Sequence, residues 1–475
     1  MNGGAFFADL LQTIADRGRE LLGRARRTDG LPHGDIAAAC ETLLSGRGEA
    51  SGVALAREIL RRWEVLDEAA RLEFLKVLAE RFGPDFRRID EAVATYASDR
   101  SAASAQRLHA AAEARRQELI RRLNLAPGGI EALVEMRELL LNHRSDHPEF
   151  ALVDSDFAHL FASWFNRGFL VLRRIDWSTP ANILEKIIKY EAVHTIRDWD
   201  DLRRRLEPRD RRCFAFFHPQ LTDDPLIFVE VALTQDMPSA IADLLLEERT
   251  PITAGEATTA VFYSISNCQE GLRGISFGNF LIKQVVDELR RELPKLDNFV
   301  TLSPVPGFAA WLARERRAES SPALSPEEQR ALAALDAEGW QIDPPDALRK
   351  SLLSAAAYYF LRARTAKGTP VDPVARFHLG NGARLERLNF LGDLSPRALK
   401  QAHGLMVNYC YRLDDIEKNH ELFASKGQVV AAAEVRRLLR DHRQRRTPGP
   451  SSDEESQRQE PWPQKAAETA QDPVQ

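Results

Sequence analysis

The chain has 475 residues, 44% hydrophobic and 28% charged, the balance of an ordinary soluble globular protein long enough for about two or three domains. Its net charge of −5 lacks the global basic field that draws nucleic acid, so no nucleic-acid partner is expected. Four cysteines lie far apart without a CxxC pair, which argues against structural zinc or a disulfide scaffold and fits a reducing compartment.

No run approaches the roughly 20 apolar residues a membrane helix needs. The opening "MNGGAFFADLLQTIADRGRELLGRARR" is amphipathic and carries arginines, but Asp9, Asp16 and Glu20 are out of place in a transit peptide. Phe6, Phe7, Leu10, Leu11 and Ile14 have helical spacing, so a docked helix is expected there.

Helical periodicity continues to about residue 166. Ile59, Leu60, Trp63 and Leu66 form one stripe, and Leu72, Leu75, Leu78 and Phe82 another. Ile130, Leu133, Val134, Met136 and Leu140 follow the break "APGG", and Phe157, Leu160, Phe161, Trp164 and Phe165 close the series. These stripes read as core, so 1–170 is expected to be an all-α bundle and an oligomerisation domain. In "NHRSDHPEF", His143 and His147 have no clear third ligand, and the segment reads as a helix C-terminus rather than a metal site.

Strand character begins after residue 185. "CFAFFH", "LIFVEVALT" and "AVFYSIS" are apolar runs rich in aromatics, Val and Ile, which suggests a sheet covered on both faces. Next, Ile282, Val285, Val286, Leu289 and Leu293 make a helical stripe, and "NFVTLS" returns to a strand. The order predicts a βαβ unit. Further on, Ser325, Pro326 and Glu328 write the start signal of a helix, and "DALRKSLLSAAAYYFLRAR" is another helix. Residues 444–475 are polar and Pro-rich, and disorder is expected.

Three places carry candidate chemistry. Gly271, Gly274 and Gly278 lead from a strand into a helix start, where backbone N–H groups can meet an anion; a tight connection explains them equally well. The loop has neither the Gly-Lys-Ser/Thr of a nucleoside-triphosphate loop nor dinucleotide glycine spacing. In "TLSPVPGFAAWL", Pro304 and Pro306 stiffen the backbone around Ser303 at the C-terminal end of a strand, where ligands bind in open α/β sheets; the other reading is a serine that merely ends a strand. No Gly-x-Ser-x-Gly elbow surrounds it. His378 precedes a Leu-Gly-Asn-Gly turn and is either an ordinary surface histidine or a proton carrier.

These motifs, "FYSIS", "GLRGISFGNFLIKQVVDELRREL", "LSPVPGFAAWL", "FHLGNGARLERLNFLGD" and "MVNYCYRLDDIE", occur in one order and resemble the malonyl-CoA decarboxylase family. The likeness extends upstream through "WSTPANILEKIIKYEAVHTI" and covers most of residues 160–420. It implies an α+β protein: an all-α N-terminal domain, then a catalytic domain (here 171–425) with the fold of the N-acetyltransferase superfamily (GNAT-like). It also implies cleavage of malonyl-CoA to acetyl-CoA and CO2 without metal or organic cofactor, and a homotetramer. The family's catalytic serine falls on Ser303 and its histidine on His378, with Tyr411 and Lys186 matching supporting positions. Its CoA-binding loop corresponds to Arg273, Gly274, Ile275, Ser276, Phe277, Gly278 and Asn279; Ser276 stands where some relatives have a glutamate.

On that reading His378, at an ordinary pKa of about 6.5, donates the proton to the thioester enolate, an effect on the order of 10²–10⁴-fold. Ser303 binds the carboxylate or thioester oxygen, or accepts a proton. The Leu-Gly-Asn-Gly turn lets His378 approach the acyl group. The alternatives are a CoA-dependent N-acyltransferase of the same fold, acyl transfer through Ser303, or a non-catalytic acyl-CoA sensor. A bacterial cytoplasmic enzyme is the simplest setting.

Overall fold

The computed structural model describes residues 35–45, 49–275 and 281–446. The expected N-terminal helix and residues 447–475 of the expected disordered tail lie outside them. Residues 444–446, read as tail, instead end a helix.

Among the described residues eight helices come first: α1 (Ile36–Leu44), α2 (Glu49–Val65), α3 (Glu68–Arg81), α4 (Phe86–Ser98), α5 (Ala102–Ala112), α6 (Arg115–Asn124), α7 (Gly129–His143) and α8 (Phe150–Trp164). Asp35, Asp67, Asp85 and Ser101 cap α1, α3, α4 and α5 by accepting from backbone N–H groups of the first turn. The "APGG" break is real: Gly128 at φ +74° turns the chain into α7. The predicted stripes are the core, with Trp63, Phe82, Phe157 and Phe161 fully buried, each contributing about 1.5–3 kcal/mol. His143 closes α7, as its sequence context suggested, and its Nε2 pairs with Glu68.

An eight-stranded mixed sheet follows, giving the α+β architecture expected. The first strands and helices are β1 (Val171–Ile175), α9 (Ala181–Tyr190), α10 (Trp199–Leu206), β2 (Arg211–His218), β3 (Leu221–Thr234), α11 (Ala242–Leu245) and β4 (Thr259–Asn267). Then come α12 (Leu281–Glu292), β5 (Asn298–Thr301), β6 (Ser303–Pro304), α13 (Phe308–Arg317), α14 (Pro326–Leu332) and α15 (Asp346–Leu361). The chain closes with α16 (Pro373–Gly380), β7 (Arg384–Asn389), α17 (Pro396–Ala402), β8 (Met406–Cys410), α18 (Ile416–Lys426) and α19 (Ala433–Arg446). The order across the sheet is β1-β2-β3-β4-β5-β8-β6, with β7 also on β8. Among the paired strands of the described residues only β4–β5 is parallel, and that pair with α12 is the βαβ unit anticipated.

Both faces of the sheet are covered, which explains the continuous apolar strands. Alternation along β2 sends Phe214 and Phe216 to one face and Cys213, Ala215 and Phe217 to the other. The first face shares a single core with Phe157 and Phe161 of the helical bundle; the second packs on α9 and α10. The bundle therefore has no separate core. Arg137 of α7 strengthens the join: its buried guanidinium donates to Asp154 (2.9 Å) and to the Gly271 carbonyl (2.6 Å).

Candidate active site

The parallel strand β5 ends at Thr301, and the chain stays extended for two more residues into the short β6, where Ser303 pairs with Val407 of β8. Residues two apart along an extended chain share a face. Accordingly the buried Ser303 hydroxyl donates to Thr301 Oγ1 at 2.8 Å, and Thr301 Oγ1 also receives the Tyr409 backbone N–H at 3.2 Å.

His378 arrives from the opposite side on the last turn of α16. Asp372 caps that helix through the Ala375 N–H (2.7 Å), and Pro373 occupies its first turn. The imidazole Nε2 lies 3.3 Å from Ser303 Oγ, and Nδ1 lies 2.8 Å from the Tyr411 hydroxyl. The Tyr409 ring stacks on the imidazole, centroids 4.6 Å apart at 27°. Ser303, His378 and Tyr411 are thus brought together in one hydrogen-bonded chain, all three buried.

Burial changes the chemistry expected of the histidine. His378 is 3% exposed, and desolvation alone pushes its pKa down to about 3, so the ring is neutral at physiological pH. The sequence reading gave it an ordinary pKa, and the structure corrects this. Burial likewise holds the Tyr411 hydroxyl well above its usual pKa, so it stays protonated. The Leu-Gly-Asn-Gly turn also does something other than carry His378 toward a ligand. Gly382 sits at φ +80° with the Ile416 carbonyl where a Cβ would be (2.2 Å), so the glycine is demanded by close packing against α18.

Two adjoining cavities open beside the chain. The inner one, about 270 Å³, reaches Ser303 and His378 and is walled by apolar residues including Val229, Phe262, Leu281, Ile282, Val374 and Phe377. The outer one, about 340 Å³, shares Ile227, Asn267, Leu281 and Phe377 with it and adds Arg273, Gly274, Ile275 and Arg376. Three members of the expected CoA loop therefore line the outer cavity, whereas Ser276, Phe277, Gly278 and Asn279 lie outside the described residues.

The glycines of that loop divide by function. Gly274 has φ +82° with open space around its missing Cβ, so its backbone conformation requires glycine. At Gly271 a Cβ would come within 2.0 Å of the Val134 carbonyl, so this glycine lets α7 pack against the loop. Lys186 lies apart from both cavities. Its Nζ pairs with Asp224 at 2.6 Å and donates to the Asp223 carbonyl at 3.2 Å, tying α9 to β3.

Comparison with known proteins gives this arrangement its context. Family models of the malonyl-CoA decarboxylase N-terminal and C-terminal domains match residues 82–165 and 168–448. The chain belongs to the malonyl-CoA decarboxylase family. Among curated relatives, the mitochondrial malonyl-CoA decarboxylase of goose (Anser anser anser) is 35% identical over 413 residues, 80% of this chain and 82% of that protein. The rat (Rattus norvegicus) protein of the same name is 33% identical over 416 residues, 78% and 82% of the two chains. Among solved structures, a malonyl-CoA decarboxylase from Rhodopseudomonas palustris shares 62% identity and a TM-score of 0.82, covering 85% of this chain and 98% of that one.

For this malonyl-CoA decarboxylase family member, the sequence reading passed over Thr301, Tyr409 and Arg376. Thr301 and Tyr409 left a signal: each stands two residues before a residue already singled out, Ser303 and Tyr411, in an extended stretch. Arg376 left none, because only the docking of α16 brings it to the outer cavity.

Proposed function

We propose that the chain is a carboxy-lyase that converts malonyl-CoA to acetyl-CoA and CO2, with the acyl group in the inner cavity and CoA along the outer one. The observation that carries this reading is the Ser303–His378–Tyr411 chain at the wall of an apolar cavity, in a chain of this family.

The reaction breaks the bond between the carboxylate carbon and the α-carbon. The electron pair passes into the thioester carbonyl, so the substrate is its own electron sink and needs no metal or organic cofactor. No lysine or arginine lines the inner cavity among the described residues. A malonyl carboxylate there loses water without gaining a cation, which raises the ground state relative to neutral CO2. His378 supplies an Nε2–H hydrogen bond as the enolate oxygen gains charge, with Ser303 holding that N–H in place as its resting acceptor; one good donor in such a place contributes roughly 3–4 kcal/mol. His378 then gives its Nε2 proton to the α-carbon while Nδ1 takes the Tyr411 proton; the one solvent proton that the overall reaction consumes then reaches Nε2 through the cavity as Nδ1 returns its proton to Tyr411, which restores the resting chain. Arg273 and Arg376 at the outer cavity suit the CoA phosphates.

Three finer points belong to the same reading. The protein works as a homotetramer, which light scattering behind a sizing column tests. It resides in the cytoplasm, in keeping with four buried free thiols. Among the described residues no helix is long and apolar enough to cross a membrane.

The test is to incubate purified protein with malonyl-CoA and a chelator, without ATP, and follow both products beside His378→Ala and Ser303→Ala. Stoichiometric acetyl-CoA and CO2, lost in the variants, is the expected result. Binding of malonyl-CoA without turnover overturns the proposal.

A further inference from the structure

We infer that Thr301 is a positioning residue: it fixes the direction of every proton in the Ser303–His378–Tyr411 chain and thereby holds His378 as its Nε2–H tautomer. The kinetic consequence rests on the decarboxylation proposed above, whereas the tautomer itself does not.

A hydroxyl group has one proton to donate and two lone pairs to accept with. Both lone pairs of the fully buried Thr301 Oγ1 are taken, by the Tyr409 N–H at 3.2 Å and the Ser303 O–H at 2.8 Å. Ser303 has no second proton, so toward His378 it can only accept. The 3.3 Å contact is therefore Nε2–H donating to Ser303 Oγ. A neutral imidazole carries one ring proton, which leaves Nδ1 bare, and the Tyr411 hydroxyl fills it at 2.8 Å. Stacking on Tyr409 keeps the ring in the plane both bonds need.

The opposite polarity, Ser303 donating to Nε2, is the arrangement that activates a serine as a nucleophile. Thr301 suppresses it by occupying the serine proton. Two effects follow for an acyl-CoA in the cavity: a proton stands ready at Nε2 for a carbanion, and Ser303 is kept from forming an acyl-enzyme. Thr301 thus selects proton delivery over acyl transfer.

The test uses full-length protein labelled with [15N]histidine and long-range proton–nitrogen correlation at neutral pH, the His378 signals being those lost in His378→Gln. The expected native pattern is a protonated Nε2 and a bare Nδ1, retained in Thr301→Ser. In Thr301→Val the freed Ser303 proton turns to Nε2 and the pattern reverses. The same variant should become reactive toward a fluorophosphonate: the Ser303 Oγ–P bond forms as P–F breaks, fluoride leaves and the hydroxyl proton passes to Nε2. Its kcat on malonyl-CoA should fall roughly tenfold, the size of one neutral hydrogen bond, with KM within about twofold and recovery in Thr301→Ser.

A native Nδ1–H tautomer overturns the inference, as does a Thr301→Val protein whose tautomer is unchanged. Should Thr301→Val fail to fold, the native spectrum still decides. A protein that releases no CO2 would overturn the proposed reaction while leaving the tautomer result standing.

Discussion

The pH dependence of kcat/KM separates a neutral His378 from the ordinary histidine its sequence context suggests. The free enzyme sets this parameter. With an ordinary pKa of about 6.5, roughly nine-tenths of the ring is protonated at about pH 5.5 and only about 3% at about pH 8. A reaction that needs the imidazolium would then run roughly thirtyfold faster at the acid end, and one that needs the neutral ring roughly tenfold slower. Burial instead places the His378 pKa at about 3, so the ring stays neutral across this window and contributes no break. Two buried carboxyls do titrate in this pH window. Desolvation lifts Asp372, the cap of α16, to about 6, and lifts Glu230 to about 7. The assay therefore follows CO2 release by native protein, Asp372→Asn and Glu230→Gln; asparagine caps a helix as well as aspartate. The expected result is that any acid limb in the native profile moves or vanishes with one of these substitutions and that none near 6.5 belongs to His378. A break near 6.5 that survives both substitutions refutes the neutral-ring mechanism.

Tyr411→Phe keeps the buried ring but leaves His378 Nδ1 without its donor; a cost of about 1–3 kcal/mol should lower kcat roughly 10–100-fold with little change in melting temperature, measured by steady-state kinetics beside calorimetry. Gly271→Ala drives a methyl into the Val134 carbonyl and should lower the melting temperature and raise KM for malonyl-CoA together. Gly274→Ala meets open space and should cost only the backbone strain of about 1–2 kcal/mol, and a larger loss would mean that the loop has no room for a methyl group. Lys186→Ala breaks a partly exposed ion pair with Asp224 and should shift stability by less than about 1 kcal/mol with kcat unchanged; a tenfold fall in kcat would place Lys186 in the reaction after all.

Much of the architecture was legible because it rests on local rules. The stripes through Trp63, Phe82 and Phe161 needed only helical spacing, and the parallel β4–β5 pair followed from strand, helix and strand in succession. The strands β1, β7 and β8 escaped notice. "VLRRI" and "RLERLN" carry charges on exposed or half-buried edges, so neither has the apolar run that marked β2 and β3. At the site, the strand end that carries Ser303 was legible from its flanking prolines, whereas a role for its hydroxyl rested on the family resemblance alone. What could not be read was environment. Nothing in "ARFHLGNG" says that Tyr409 and Tyr411 close over His378, and that enclosure decides its charge.

That enclosure bears directly on the proposed reaction. An imidazolium beside an incoming malonyl group would pair with its carboxylate, and an ion pair in an apolar cavity is strong. Such pairing stabilises the ground state, in which the charge sits on the carboxylate, more than the transition state, in which it has moved toward the thioester oxygen. Interactions of that kind tighten binding and slow the chemical step. A neutral ring avoids the trap. It offers Nε2–H as a hydrogen bond whose value grows as charge reaches the oxygen, and it parts with the proton only to a base as strong as the carbanion. The same burial that makes His378 a poor acid in water therefore suits it to act late, after the carbon–carbon bond has begun to break. Ser303, Thr301 and Tyr411 are all uncharged hydroxyl groups for the same reason: each adds direction to the hydrogen-bond chain without adding a charge that would hold the carboxylate in place.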